Sequence, residues 1–163
     1  MKPRGTSAET QLEIREDDLS GSQTRELLRL HLAGMQASSP GPEHVFALDL
    51  SGLKEPGTTV WAAWLGNRVA GIGALKDLRD GTGEVKSMRT HPQFLRRGVG
   101  SQLLEWIIAE ARRRGMRRLS LETGSGPAFE PALALYRKRG FVSGKSFAAY
   151  VRSDFNQFLH LSL

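Results

Sequence analysis

The feature that most constrains this chain is the stretch from Glu84 to Leu121, where one amphipathic helix lies between two strands. From Gly98 to Arg114, the residues Val99, Leu103, Leu104, Ile107, Ile108 and Ala111 recur at helical spacing, and Gly115 supplies the C-cap. Ahead of it, Glu84 to Thr90 reads as a strand. Behind it, Leu119 and Leu121 alternate with Ser120 and Glu122 in another. Strand, helix and returning strand make a βαβ crossover, so the two strands run parallel within one sheet.

The flanking segments are antiparallel in character. Thr58 to Trp64 and Arg68 to Lys76 form a hairpin about a tight turn near Gly66-Asn67, and a second turn at Asp80-Gly81-Thr82-Gly83 leads into the crossover. Upstream, Leu12 to Arg15 reads as a first strand. Ser20 and Ser22 offer N-caps to a helix reaching about Met35, with Leu27, Leu28, His31, Leu32 and Met35 on one face. The Ser38-Ser39-Pro40-Gly41-Pro42 cluster ends it, and Val45 to Leu50 follows as a short apolar helical turn. Downstream, the loop Thr123 to Pro127 precedes a helix opened by Pro131 and closed by Gly140. Phe141 to Val142, Phe147 to Val151 and Phe155 to Leu163 read as terminal strands, whose edge would let two copies pair as a homodimer. The expected class is therefore α/β, in the α+β sense, with a mixed sheet.

With 163 residues the chain suits one domain, residues 12–163, behind a polar and flexible segment, residues 1–11. No apolar run reaches membrane length, and the polar start lacks a signal peptide's apolar core, so a cytoplasmic address without membrane association is expected. There is no cysteine, hence no disulfide framework, no thiolate metal site and no acyl-cysteine intermediate. His31 and His44 lack a second ligand at metal spacing, so no metal is expected. The net charge of +6 is concentrated between Arg89 and Arg118. Nucleic-acid binding would need basic residues interleaved with exposed aromatics, or a reading helix, and neither is visible. Arg112, Arg113, Arg114, Arg117 and Arg118 read as a solvated helix end favoured by the macrodipole.

The junction Arg96-Arg97-Gly98-Val99-Gly100-Ser101 places backbone N–H groups and two cations at a helix start, an arrangement suited to a diphosphate. It is not a P-loop, because no Lys follows either glycine, nor a dinucleotide fingerprint, because a third glycine is missing near Leu103. Together with Met88-Arg89-Thr90-His91-Pro92 before it, the junction resembles the pyrophosphate motif R/Q-x-x-G-x-G/A of the GNAT superfamily of acetyl-CoA-dependent N-acetyltransferases. Gly83-Glu84-Val85-Lys86 is similar to that family's fourth strand, and Ala132 to Phe141 to its A-x-x-x-Y-x-x-x-G-F element. One departure is Leu95, which stands where the motif has Arg or Gln; Arg96 and Arg97 supply charge beside it.

The resemblance implies a mostly antiparallel sheet with a central βαβ crossover and helices on both faces. It also implies acetyl-CoA as cosubstrate, held by Arg96, Arg97, Gly98, Val99, Gly100 and Ser101, with the pantetheine arm along Met88, Arg89 and Thr90. The expected reaction is transfer of an acetyl group to a primary amine of a small molecule or peptide, by direct attack in a ternary complex. A non-catalytic acyl-CoA-binding module of the same fold is the alternative. An alkylammonium must lose a proton before it can attack, and Glu84 is the candidate base, with Glu122 a second. Tyr136 is the candidate acid for the leaving thiolate. The acceptor pocket is expected from the first helix, Val45 to Leu53, and the loops near Ser125 and Tyr150, with Arg152 and Lys145 able to attract a carboxylated amine. Trp61, Trp64 and Trp106 read as packing residues.

Overall fold

A computed structural model describes residues 11–33 and 49–163. The expectations for residues 1–10, for the end of the first helix near Met35, for the Ser38 to Pro42 break and for most of Val45 to Leu50 lie outside the described residues. In chain order the strands and helices are β1 (Leu12–Glu16), α1 (Ser22–Ala33), β2 (Thr58–Leu65), β3 (Arg68–Asp77), β4 (Thr82–Thr90), α2 (Val99–Arg113), β5 (Arg118–Thr123), α3 (Glu130–Lys138), β6 (Val142–Ser143) and β7 (Gln157–Ser162). A short helical stretch occupies residues 49–53.

One seven-stranded sheet runs in the order β1-β2-β3-β4-β5-β7-β6. β1 pairs antiparallel with β2, from Leu12 opposite Leu65 to Glu16 opposite Trp61. β4 and β5 are parallel, as a helical crossover demands, and β5 pairs antiparallel with β7 along its whole length. The sheet is mostly antiparallel, with the α2 crossover at its centre. In β3 every residue from Val69 to Leu75 is buried, so both faces of that strand are covered.

The chain divides into two compact units, residues 1–74 with 87–103 and residues 75–86 with 104–163. In the first, a core of Leu19, Leu27, Leu28, Leu53, Val60, Ala62, Val69, Ile72 and Ala74 forms, with Leu50 and Trp64 against it. The entry to α1 differs from expectation. Gly21, not a serine, accepts the first helical hydrogen bond, from Arg25 N–H. Ser20 instead donates its hydroxyl to Asp18, and Asp17 accepts from Leu19 N–H and the Thr24 hydroxyl. Two aspartates order the chain before the helix, a role that serine spacing alone does not reveal.

Gly71 of β3 is the closest approach in this unit. A Cβ built there would lie 2.6 Å from Val99 Cγ1, 3.0 Å from the Arg89 carbonyl oxygen and 3.1 Å from Leu103 Cδ1. The first turn of α2 rests on bare backbone.

In the second unit, α2 ends in a Schellman motif. Met116 N–H bonds the Ala111 carbonyl and Gly115 N–H bonds that of Arg112, with Gly115 at φ +78°. The arginine run beyond is largely tied down. Glu110 bridges Arg113 and Arg114, which hold its carboxyl down at about 2, the Arg113 hydrogen bond contributing most. Arg117 donates to the Asp80 carbonyl at 2.6 Å.

Three expectations fail here. Residues 147–151 are not a strand but a turn, with Ala148 at φ +50° and Tyr150 N–H bonded to the Phe147 carbonyl. Ser120 does not alternate outward but is fully buried, its hydroxyl 2.7 Å from His160 Nδ1. Trp106 is 43% exposed, while Trp61 is buried as expected.

Gly71→Ala should destabilise the chain by about 1–3 kcal/mol, because the added methyl meets Val99 and a backbone carbonyl that yields little. Urea unfolding of the two proteins measures this, and an unchanged midpoint would mean that α2 moves away at little cost.

Candidate active site

The glycine junction lies wholly in the first unit. His91 ends the extended segment, its N–H bonded to the Ala70 carbonyl at 2.8 Å and its Nδ1 accepting from Gln93 N–H. The short 3-10 turn Pro92–Phe94 follows, with Phe94 buried. Arg68 and Arg97 place their guanidinium groups 5.0 and 5.6 Å from the Phe94 ring centre, and Arg68 also donates to the Gln93 side chain. Arg68 is thus a third cation at the junction. Sequence reading missed it because it lies 26 positions before Phe94.

Arg96 sits at φ +63° and Gly98 at φ +76°, so the chain makes two left-handed steps before the helix begins. Nothing lies within 4 Å of a Cβ built on Gly98. Gly98 is therefore not a packing glycine; that part belongs to Gly71. Its carbonyl accepts from Gln102 N–H, which makes it the N-cap of α2. The N–H groups of Val99 and Gly100 consequently have no carbonyl within the helix to pair with. Arg96, Arg97 and Gly98 are exposed, whereas Val99 is buried. The junction therefore presents helix-start amides, adjacent cations and no side chain at Gly98.

Upstream of the junction, the ladder from β4 to β5 covers only Thr82 to Glu84, opposite Arg118 to Ser120. Ser87 then takes φ +55°, a bulge-like step within the strand. Met88, Arg89 and Thr90 are half-buried, and the Arg89 Nε is shielded from solvent without a hydrogen-bond partner.

The acid–base candidates lie in the second unit. Glu84 does not open its strand, which begins two residues earlier, and it is only 3% exposed. Its Oε2 accepts a hydrogen bond of 2.5 Å from the Tyr150 hydroxyl. Tyr136 is buried on α3, its ring 5.8 Å from that of Phe141 in the Schellman motif that ends the helix. Burial pushes its phenol up to about 12. Among the described residues no hydrogen bond joins Tyr136 to Glu84. Glu122 is exposed and accepts from Asn156 Nδ2 at 3.2 Å.

The two cations expected near the acceptor have different surroundings. Arg152 donates to the Gly144 carbonyl and stands 5.1 Å over the Phe158 ring, so its guanidinium is engaged within the chain. Lys145 is exposed, with its backbone carbonyl 2.7 Å from His160 Nε2. Among the described residues no helix is long and apolar enough to cross a membrane, and no group of three His, Asp or Glu side chains could hold a metal ion.

Residues 24–141 match the family described as Acetyltransferase (GNAT) family. The chain is 50% identical over 139 residues to the uncharacterized N-acetyltransferase YsnE of Bacillus subtilis strain 168, covering 85% of this chain and 91% of that protein. It is 45% identical over 150 residues to the uncharacterized N-acetyltransferase YedL of Escherichia coli K12, covering 92% and 94%. A Bacillus subtilis acetyltransferase solved in complex with CoA superposes with a TM-score of 0.70 at 21% identity, covering 94% of this chain and 99% of that one.

At Gly98 the backbone angle and the open space separate two effects of substitution. Gly98→Val should cost about 1–2 kcal/mol from the left-handed backbone alone, while Gly98→Asn, which tolerates that conformation, should cost less. Thermal unfolding of both variants checks this, and equal losses would point to a steric cause instead.

Proposed function

Because the chain belongs to the GNAT family of acetyltransferases, we propose that it transfers the acetyl group of acetyl-CoA to a primary amine by direct attack in a ternary complex. The observation that carries this reading is the N-terminus of α2. Gly98 stands there at φ +76° with open space around it, followed by the Val99 and Gly100 amides, which have no carbonyl partner within the helix, and preceded by exposed Arg96 and Arg97. A diphosphate fits this donor set by charge and by shape. Bound acetyl-CoA would supply a thioester carbonyl activated toward an amine.

The chain's residues then have distinct tasks. Arg96, Arg97 and the amides from Gly98 to Ser101 bind the diphosphate, and the backbone of Met88 and Thr90 pairs with the pantetheine amides and polarises the carbonyl. Glu84 takes a proton from the acceptor ammonium, leaving a nitrogen lone pair for the carbonyl carbon. The new C–N bond forms as the C–S bond breaks, and the sulfur leaves as a thiolate. A phenol held at about 12 is a weaker acid than an ordinary thiol near 8.5. Tyr136 accordingly steadies the departing sulfur as a hydrogen-bond donor, and the nitrogen's second proton passes through water to the thiolate. Most of the acceleration comes from holding amine and thioester together.

Replacing both Gly98 and Gly100 by valine should abolish acetyl-CoA binding in calorimetry while the far-ultraviolet circular dichroism stays native. Retained affinity in that folded variant would refute the cosubstrate assignment. Glu84→Gln should lower turnover by a factor of about 10²–10⁴, measured as thiol release over a panel of amino acids, polyamines, aminoglycosides and peptides. A chain that binds acetyl-CoA and acetylates no amine in that panel would instead be an acyl-CoA-binding module.

A further inference from the structure

We infer that Tyr150 is a positioning residue for Glu84: its hydroxyl clamps one carboxylate oxygen and leaves the other to receive the proton of the acceptor amine. This rests on the reading of Glu84 as the base.

The geometry is built from several directions within the second unit. Tyr150 lies at the end of a strap, residues 144–150, laid against β7. Gly144 N–H bonds the Phe158 carbonyl at 2.9 Å, and the Lys145 carbonyl sits 2.7 Å from His160 Nε2. A carbonyl can only accept, so Nε2 carries the hydrogen, and Nδ1 pairs with the Ser120 hydroxyl at 2.7 Å. Ser120 is in turn the register partner of Glu84 across the parallel ladder. Phe147 packs edge-on against Phe158, His160 and the ring of Tyr150, at centre distances of 5.9, 5.8 and 5.2 Å. The phenol is thereby held over the strand that carries Glu84.

At 2.5 Å from Glu84 Oε2, the phenol makes a short bond of the charge-assisted kind. Oε1 accepts no hydrogen bond among the described residues. The phenol's own ionisation is pushed up by burial first, and then by the hydrogen bond to Glu84 and the charges of Glu84 and Glu122, so it remains protonated as the donor. The other charged or titratable groups of this region are few. Glu122 and Arg118 flank Ser120 by two residues, Lys86 stands two residues beyond Glu84, His160 lies opposite Ser120 on β7, and Lys145 and Arg152 belong to the strap and its exit.

The test is the pH profile of kcat/KM for the full chain with acetyl-CoA and its best amine. If Glu84 must be ionised to act, the acidic limb reports its titration. In Tyr150→Phe, loss of the donor should raise that limb by about one pH unit, lower turnover near neutrality roughly tenfold, and leave the affinity for acetyl-CoA unchanged. A limb that stays in place overturns the inference. Should Tyr150→Phe fail to fold, ultraviolet titration of the two tyrosines in the wild type and in Glu84→Gln replaces it. One phenol should ionise at lower pH once the carboxylate is gone, and identical titrations overturn the inference. Glu84→Gln with normal turnover would remove the base reading itself, whereas an inactive Glu84→Gln with an unmoved Tyr150→Phe limb would remove only the role given to Tyr150.

Discussion

The approach of α2 to β3 at Gly71 is the contact on which the glycine turn before α2 depends. Val99 and Leu103 sit where any side chain on Gly71 would lie. That lets the first turn of the helix press on the strand and brings its N-terminal amides to the surface just past Gly98. The turn itself needs left-handed steps at Arg96 and Gly98, and the second of these falls on the residue type that adopts it without penalty. Two glycines therefore serve different ends. Gly71 gives space for packing, and Gly98 gives backbone freedom for the turn.

The second unit shows how a buried carboxylate finds its hydrogen-bond donor. Glu84 lies on a strand inside the sheet, where an unpaired charge would be costly. Its donor is Tyr150, from a turn anchored through Phe147 and His160 to β7. The same His160 closes on Ser120, so a buried hydroxyl, a histidine and the strap form one hydrogen-bonded chain. Tyr136 belongs to another part of this unit, the glycine-terminated end of α3, where its ring packs on Phe141.

Local pattern was a good guide wherever one element could be judged alone. The stripe from Val99 to Ala111 is buried and ends at a glycine in the left-handed region, as its spacing predicts. The hairpin and the parallel crossover follow from turn chemistry and connection length. Pattern misled where partners lie far along the chain. Phe147 to Val151 has the look of a strand, yet it folds as a turn because its rings pack on β7 and its phenol reaches Glu84, 66 positions away. Ser120 looks like an outward residue of an alternating strand, yet it is buried because His160, 40 positions on, pairs with its hydroxyl.

Spacing of apolar residues, glycines and arginines by itself determined the crossover, the helix with its capped end, the glycine–arginine junction before it and the family resemblance. These follow from interactions between residues a few positions apart, whose geometry the backbone dictates. Tertiary structure alone decided which glycine packs and which one turns, that Arg68 joins the cations at Phe94, and that Tyr150 rather than Tyr136 meets Glu84. Those outcomes depend on which distant side chains satisfy one another once water is excluded, and no local period records that.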